Sequence, residues 1–223
     1  MKGDAAHHLG RVLRAQPGQV YELSDGTSAW LAQVADVTRD KIEFALVEQL
    51  PAYLPQLETT LLLSIVKFDA FEWALEKATE LGVSRIVPLA AARSEKALLA
   101  AAPKRADRWK KILFESSQQC RRLRLPVLDP LATPEVAFSA HRSGVTVLLS
   151  EAPQTKPLRQ LLNDVQATEA TLAIGPEGGW ADQEFTAARA DGFLEGSLGR
   201  LILRTETAVI ASLAAINYAL TPE

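Results

Sequence analysis

From residue 1 to about 50, apolar and polar side chains alternate in short runs separated by turn residues. Gln19–Leu23, Ala29–Val37 and Lys41–Val47 read as strands, joined by Ser24-Asp25-Gly26 and by Arg39-Asp40. Asp-Gly between two alternating runs is a strong hairpin signal, so this part is predicted to be a small antiparallel β unit. Leu9, Val12 and Leu13 have the spacing of one helical turn laid against that sheet. Pro51 and Pro55 punctuate a linker and place a boundary between a domain 1–55 and a domain 56–223.

Beyond the linker, continuous apolar runs alternate with helical spacing, the pattern of a parallel sheet with crossover helices. Thr60–Val66, Arg85–Ala91, Val145–Leu149 and Leu172–Ile174 are expected strands. Phe71, Ala74, Leu75, Ala78 and Leu81 recur at helical spacing, with Gly82 placed to end that helix. Further helices are expected over 104–123, 158–165, 182–190 and 205–220. In the first of these, 104–123, Trp109, Ile112, Leu113, Ser116, Cys120 and Leu123 fall on the buried face, while Glu115, Gln119 and Arg122 line up on the other. The 205–220 segment is apolar nearly all round, which predicts burial, and its place at the chain end suggests burial against a second copy.

Composition changes the picture in three ways. The single cysteine, Cys120, excludes an internal disulfide and a cysteine-rich metal site, which fits a reducing compartment. No long uncharged apolar stretch spans a membrane, and MKGDAAHH lacks the apolar core of a signal peptide, so the chain is read as cytoplasmic with no membrane partner. The net charge is −3, yet Lys104, Arg105, Arg108, Lys110, Lys111, Arg121, Arg122 and Arg124 crowd one segment against only Asp107 and Glu115. Such an asymmetry suits a polyanion as well as a solvated helix face. His7 and His8 have no acidic or cysteine partner nearby, so no metal site is expected.

The most informative stretch is Leu172–Gly179, LAIGPEGG, in which a strand runs into Gly175, Pro176, Glu177, Gly178 and Gly179. Three glycines and a proline forbid continuation of strand or helix and leave the backbone open to close approach by a ligand. The stretch Leu198–Ala208, LGRLILRTETA, has a similar plan, with Gly199, then the apolar Leu201, Ile202 and Leu203, then Arg204 and the polar opening of a helix. A third strand end, Leu149-Ser150-Glu151, completes the set. Phosphate loops, dinucleotide glycine fingerprints, zinc-protease and serine-hydrolase motifs are all missing from the sequence. Strand ends rich in backbone groups and aliphatic side chains suit a flat, uncharged heterocycle such as adenine. The Glu115, Gln119, Arg122 row reads either as a surface ladder or as groups that pair with a base edge.

Four motifs together, GPEGG at 175–179, LGRLILRTETA at 198–208, KATELGV at 77–83 and the ExxxQxxR of Glu115, Gln119 and Arg122, closely resemble the ribosomal RNA small subunit methyltransferase E family. The resemblance covers roughly residues 60–220, and HHLGRVLR at 7–14 resembles that family's PUA-like RNA-binding domain. It implies a SPOUT-type α/β fold, a parallel sheet with a carboxyl-terminal trefoil knot preceded by a small PUA-like β-barrel domain. Only six residues precede His7, where such domains have a further strand, so the barrel is expected either to be incomplete or to be truncated in this sequence. The activity implied is methylation of N3 of a uridine in 16S ribosomal RNA of the small ribosomal subunit, with S-adenosyl-L-methionine as cofactor, by a homodimer. Carried onto this chain, the implied cofactor contacts are Leu149, Ser150, Gly175, Pro176, Glu177, Gly178, Gly179, Leu198, Gly199, Ile202, Leu203, Thr207 and Ala208. Arg204 takes the cationic catalytic role, Glu115 and Arg122 read the base, and Arg11, Arg14, Lys110, Lys111, Gln119 and Arg121 contact RNA. Two rival readings are a non-catalytic RNA-binding protein, which leaves the glycine turns unexplained, and a SPOUT methyltransferase acting on another RNA.

Overall fold

The computed structural model describes residues 1–38, 40–51 and 55–221, and the chain divides into two compact units, Met1–Leu54 and Pro55–Glu223. In the first unit, a helical turn α1 (Asp4–His7) continues as a wider turn over His8–Val12 and is followed by β1 (Val20–Ser24), β2 (Ala29–Val37) and β3 (Ile42–Leu50). These strands form an antiparallel sheet in the order β1-β2-β3. The β1–β2 hairpin is held by Asp25, whose Oδ1 accepts from the N–H groups of Thr27 and Ser28 and from the Thr27 hydroxyl at 2.7–2.8 Å. Those bonds, the Thr27 hydroxyl first, hold the Asp25 carboxyl down at about 2. Ala6, Leu9, Ala15, Val34 and Ile42 make a small core, whereas Val12 and Leu13 are exposed. Among the described residues the sheet is open, with β1 and β3 as edges. Arg39 of the expected second turn and most of the expected linker between Pro51 and Pro55 lie outside the described residues.

The second unit is an α/β layer structure. Its strands are β4 (Glu58–Ser64), β5 (Arg85–Leu89), β6 (Val127–Leu128), β7 (Val145–Leu149), β8 (Lys156–Pro157), β9 (Glu169–Ile174) and β10 (Leu194–Ser197). All pair in parallel, in the order β6-β5-β4-β9-β7-β10-β8. The intervening helices are α2 (Phe68–Glu80), α3 (Lys96–Ala101), α4 (Ala106–Gln119), α5 (Pro134–Ala140), α6 (Leu158–Leu161), α7 (Asp182–Ala190) and α8 (Thr205–Leu220). Successive residues of β4 serve opposite faces. Leu61 and Leu63 pack with Phe71, Leu75, Trp109, Leu113, Val209 and Leu213 from α2, α4 and α8. Leu62 packs with Phe138, Trp180, Ala188 and Phe193 on the other side. A parallel sheet covered on both faces needs such continuous apolar strands, which is why LLLS reads without alternation.

Several boundaries differ from the sequence expectation for local reasons. The helix expected over 104–123 ends at Gln119, because Arg121 turns into the left-handed region at φ 56°. The alanine-rich residues before it form α3 and a tight turn over Ala102–Arg105. The helix expected over 158–165 is one turn, α6, with Asp164 left-handed at φ 58° just beyond it. The apolar Leu201-Ile202-Leu203 run is not a strand; the strand is Leu194–Ser197, and 198–204 is an irregular connection.

Candidate functional site

In a parallel sheet all strands point one way, so their carboxyl ends share one edge. The chain leaves β4 outward through β5 and β6, then returns to place β9 between β4 and β7 and β10 beyond β7. That reversal makes β4 and β9 a topological switch point, where open α/β sheets form crevices. The ends of the neighbouring strands β9, β7 and β10 lead into Gly175–Gly179, Ser150-Glu151 and Leu198-Gly199 respectively. Two of these ends are tied together by the Ser150 N–H donating to the Gly196 carbonyl at 2.9 Å.

Each glycine of the turn has its own cause. A Cβ on Gly175 would stand 3.1 Å from the indole of Trp180, which is buried and donates its Nε1–H to the Leu149 carbonyl at 3.0 Å. A Cβ on Gly178 would stand 3.1 Å from Cβ of Arg93. Gly179 has φ +69° and donates its N–H back to the Pro176 carbonyl at 2.8 Å, closing the turn. Gly199, at φ +132°, occupies backbone that side chains rarely adopt. Among the described residues, nothing accepts from the N–H groups of Glu177 and Gly178. The turn therefore offers free donors to a ligand.

Three anchors hold the turn. Arg93, in the loop after β5, donates from Nη1 to the Gly178 carbonyl at 3.0 Å. Glu184, 2 % exposed, accepts from the N–H of Ala92 at 2.8 Å and of Ala181 at 2.7 Å, bridging the same loop to the start of α7. Thr205, the first residue of α8, reaches the Gly175 carbonyl at 3.4 Å. Arg204 immediately precedes it in the chain and is exposed. Arg93, Trp180, Glu184 and Thr205 are absent from the sequence-derived site. The available signals were Arg93 two residues beyond the Arg85–Ala91 run and Glu184 two residues into an expected helix.

The other candidates scatter. Leu149, Leu198 and Leu203 are half-buried, Ser150 and Pro176 are buried, Ala208 is half-buried, and Ile202 and Thr207 are exposed. Ser150 receives the N–H of Ala152 at 3.2 Å and the Thr155 hydroxyl at 3.3 Å, so its side chain shapes its own loop. The expected row of Glu115, Gln119 and Arg122 does not form one face, since α4 has ended before Arg122. Arg122 folds back instead and donates to the carbonyls of Thr79 at 3.0 Å, Val83 at 2.9 Å and Arg124 at 2.7 Å. Burial pushes its guanidinium pKa down. Gln119 and Glu115 are exposed on α4, with Glu115 facing Lys111 at 3.7 Å. The basic segment is also partly neutralised: Arg105 and Arg108 hold the nearly buried carboxylate of Glu72, and Lys110 faces Asp107 at 3.4 Å. Arg121 is exposed at the end of α4, and Arg11 and Arg14 are exposed in the first unit.

An open cleft of 1080 Å³ lies at the opposite ends of the strands, lined by Ser143, Gly144, Gln166, Thr168, Glu169 and Thr221 among others. It touches none of the glycine turn. Among the described residues, no group of three or more His, Cys, Asp or Glu side chains is placed to hold a metal ion, and no helix is long and apolar enough to cross a membrane.

Comparison with known proteins gives this geometry a family. A family model described as an RNA methyltransferase domain matches residues 53–217, and one described as an RNA methyltransferase PUA domain matches residues 2–47. The ribosomal RNA small subunit methyltransferase E of Synechocystis is 34% identical over 215 residues, covering 95% of this chain and 70% of its own. The chain belongs to the ribosomal RNA small subunit methyltransferase E family. The Rickettsia conorii member is 26% identical over 213 residues, covering 95% of this chain and 85% of its own. A crystal structure of the Neisseria gonorrhoeae member, bound to S-adenosyl methionine, superposes with a TM-score of 0.88 at 29% identity, covering 99% of this chain and 91% of that one. The glycine turn, β10 and the start of α8 all fall within the span matched by the RNA methyltransferase domain, and most of the open β sheet, up to residue 47 of β3, within that of the PUA domain.

Proposed function

We propose that this protein transfers the methyl group of S-adenosyl-L-methionine to N3 of a uridine in the 16S RNA of the small ribosomal subunit. The observation that carries the reading is the structural match over nearly the whole chain to a family member bound to that cofactor. The chain's own residues fit the same group. The unpaired N–H donors of Glu177 and Gly178 can meet the edge of an adenine, while Leu198, Ile202 and Leu203 can cover its faces. Leu149, Ser150, Gly175, Pro176, Gly179, Gly199, Thr207 and Ala208 complete the proposed cradle.

When bound, the cofactor supplies an activated methyl: its C–S bond breaks as the N3–C bond forms, leaving a thioether. The protein's contribution is alignment of acceptor and methyl in line, and stabilisation of the base as its N3 proton passes to water. Arg204, exposed and next in the chain to Thr205, is the proposed cation that stabilises the deprotonated base. Lys110, Lys111, Gln119 and Arg121 on and beside α4, with Arg11 and Arg14 in the first unit, are the proposed RNA contacts. Glu115 is retained as a base-reading candidate, whereas the bonds of Arg122 assign it to holding the fold.

Two further features belong to this proposal. The connection over 198–204 and α8 forms the carboxyl-terminal trefoil knot, and the active species is a homodimer. The dimer is supported by Leu201, Ile202 and Tyr218, which are 82%, 80% and 93% exposed in the single chain. Boundaries near residue 55 divide the proposed RNA-binding domain from the methyltransferase domain. The test is incubation of small subunits lacking the modification with labelled cofactor, followed by mass mapping of the RNA. Label at N3 of one uridine of the small-subunit RNA is expected; label elsewhere, or none, overturns the proposal.

A further inference from the structure

The glycine turn has two flanks. On one side stand the ends of β7 and β10, which the proposed function fills with cofactor. On the other stand the ends of β4 and β5, from which the loop 90–95 rises. An in-line transfer places the acceptor away from the leaving sulfur, so an acceptor cannot share the flank that the cofactor fills. The β4–β5 flank is the remaining approach to the turn, and Arg93 is the side chain that occupies it.

Arg93 is unusual in how it is held. Its main chain is fixed from α7, because Glu184 accepts from the adjacent Ala92 N–H at 2.8 Å. The following residue is fixed from the end of β4, because the Ser94 hydroxyl donates to the carbonyl of Ile65, the residue just beyond that strand, at 2.7 Å. With both neighbours anchored, the side chain lies over the turn, Cβ against Gly178 and Nη1 on the Gly178 carbonyl. A guanidinium carries five N–H donors in a rigid fork. One is used here, and among the described residues no carboxylate pairs with the rest, whereas Arg105, Arg108, Arg85, Arg142 and Arg189 all have carboxylate partners. The side chain is exposed. A pre-oriented cation with free donors, aimed along the rim of the turn and without a counter-ion among the described residues, is built to receive an anionic oxygen from outside.

We propose that Arg93 receives an anionic oxygen of the RNA nucleotide being methylated and, through its bond to Gly178, sets that nucleotide's position relative to the turn. The inference rests on the proposed function for the location of the cofactor. The oxygen belongs either to a phosphate or to the uracil as it loses its proton, and the two sources give different signatures.

The experiment compares Arg93→Gln, which keeps a donor for Gly178 without the charge, with Arg93→Lys, which keeps the charge. RNA binding is measured first without cofactor, on a small-subunit RNA fragment over a range of salt, and single-turnover methylation is then measured at saturating RNA and cofactor over a range of pH. A phosphate contact predicts that Arg93→Gln weakens binding roughly tenfold at low salt and lowers the slope of log affinity against log salt by about 0.7 to 1, with Arg93→Lys near wild type. A uracil contact predicts unchanged binding, a single-turnover rate reduced at least tenfold in Arg93→Gln, and a deficit that narrows as rising pH ionises the base unaided. If both variants bind RNA and turn over like wild type, or if only cofactor affinity changes, Arg93 merely braces the turn and the proposal is wrong. Failure of the wild-type protein to methylate any RNA would refute the proposed function instead, and the binding arm would still decide whether Arg93 meets a phosphate.

Discussion

Arg122 donates from one nitrogen to the carbonyl of Val83 at 2.9 Å and to that of Thr79 at 3.0 Å, so a single guanidinium closes the turn between α2 and β5. Its third bond, to Arg124, fastens the connection from α4 to β6 onto the same point. Asn217 of α8 reaches the neighbouring Leu81 carbonyl at 2.7 Å. Two of the motifs that looked functional in the sequence, KATELGV and ExxxQxxR, thus meet each other through a backbone latch.

Replacing Arg122, itself half-buried, by alanine removes three charge-assisted hydrogen bonds, two of them to carbonyls of the fully buried Thr79 and Val83. Loss of one hydrogen bond to a charged group costs about 1.5–3 kcal/mol, and partial access to solvent places this variant near the lower end of that range. Urea unfolding should show a loss of about 2 kcal/mol, with cofactor affinity of the folded fraction unchanged. A variant as stable as wild type but impaired in methylation would return Arg122 to the base-reading role.

Much of this fold was legible because burial leaves periodic marks. The bounds 182–190, 205–220 and 145–149 coincide with the observed α7, α8 and β7, each a segment whose apolar spacing is set by a core on a fixed side. The sharp turn was legible at Gly175, Gly178 and Gly179, where close neighbours or left-handed backbone favour glycine. What stayed hidden was long-range: the contact of Arg93 with Gly178 spans 85 residues and that of Glu184 with Ala92 spans 92. Nothing in local spacing encodes such pairings. The end of α4 was hidden for a different reason, because an arginine in left-handed backbone at 121 looks, in sequence, like any other helix arginine.

The glycine turn offers a sharp test. Valine at Gly178 would drive a branched side chain into Arg93, whose Cβ already lies 3.1 Å from the position of the added carbon. The loop must shift, displacing the free N–H groups of Glu177 and Gly178. Titration with S-adenosylmethionine should show at least a hundredfold weaker binding, with the global fold retained by circular dichroism. Unchanged affinity in the folded variant would remove this turn from the cofactor site.

Exposed apolar side chains make the oligomeric state testable. Leu201, four residues before α8, and Tyr218, within it, are 82% and 93% exposed in the single chain, an unusual state for large side chains beside a helix whose other face is core. Wild-type protein should sediment as a dimer at micromolar concentration, and Leu201→Asp with Tyr218→Asp should sediment as a monomer with weakened cofactor binding. A well-behaved wild-type monomer would rule the dimer out.

Stability should also depend on one histidine. Burial holds the pKa of His141 below its ordinary value, with the Asp129 carboxylate opposing that shift and Arg85 adding to it. The unfolded chain therefore binds a proton at a pH where the folded chain does not. Stability rises with pH across the window between the folded pKa and about 6.5, and the same contribution is lost as pH falls through it. His141→Gln, which cannot titrate, should flatten the stability profile just below about pH 6.5. An unchanged slope would assign the pH dependence to other groups.

The lysine pair on α4 separates attraction from alignment. Lys110 and Lys111 are exposed and only loosely matched, at 3.4 Å to Asp107 and 3.7 Å to Glu115, distances at which surface pairs contribute little. If they meet RNA, each neutralised phosphate releases counterions, and the slope of log affinity against log salt reports how many are met. Alanine at both positions should lower that slope by about 1.4 to 1.8, weaken RNA binding and leave cofactor affinity untouched. Turnover at saturating RNA should stay within about twofold of wild type, because neither lysine sits at the glycine turn where alignment is set. Were the double variant to bind RNA with the wild-type salt slope, α4 would be a solvated face whose charges serve only Glu72, Asp107 and Glu115. A lower saturated rate with normal RNA affinity would instead move the pair into the alignment of the target base.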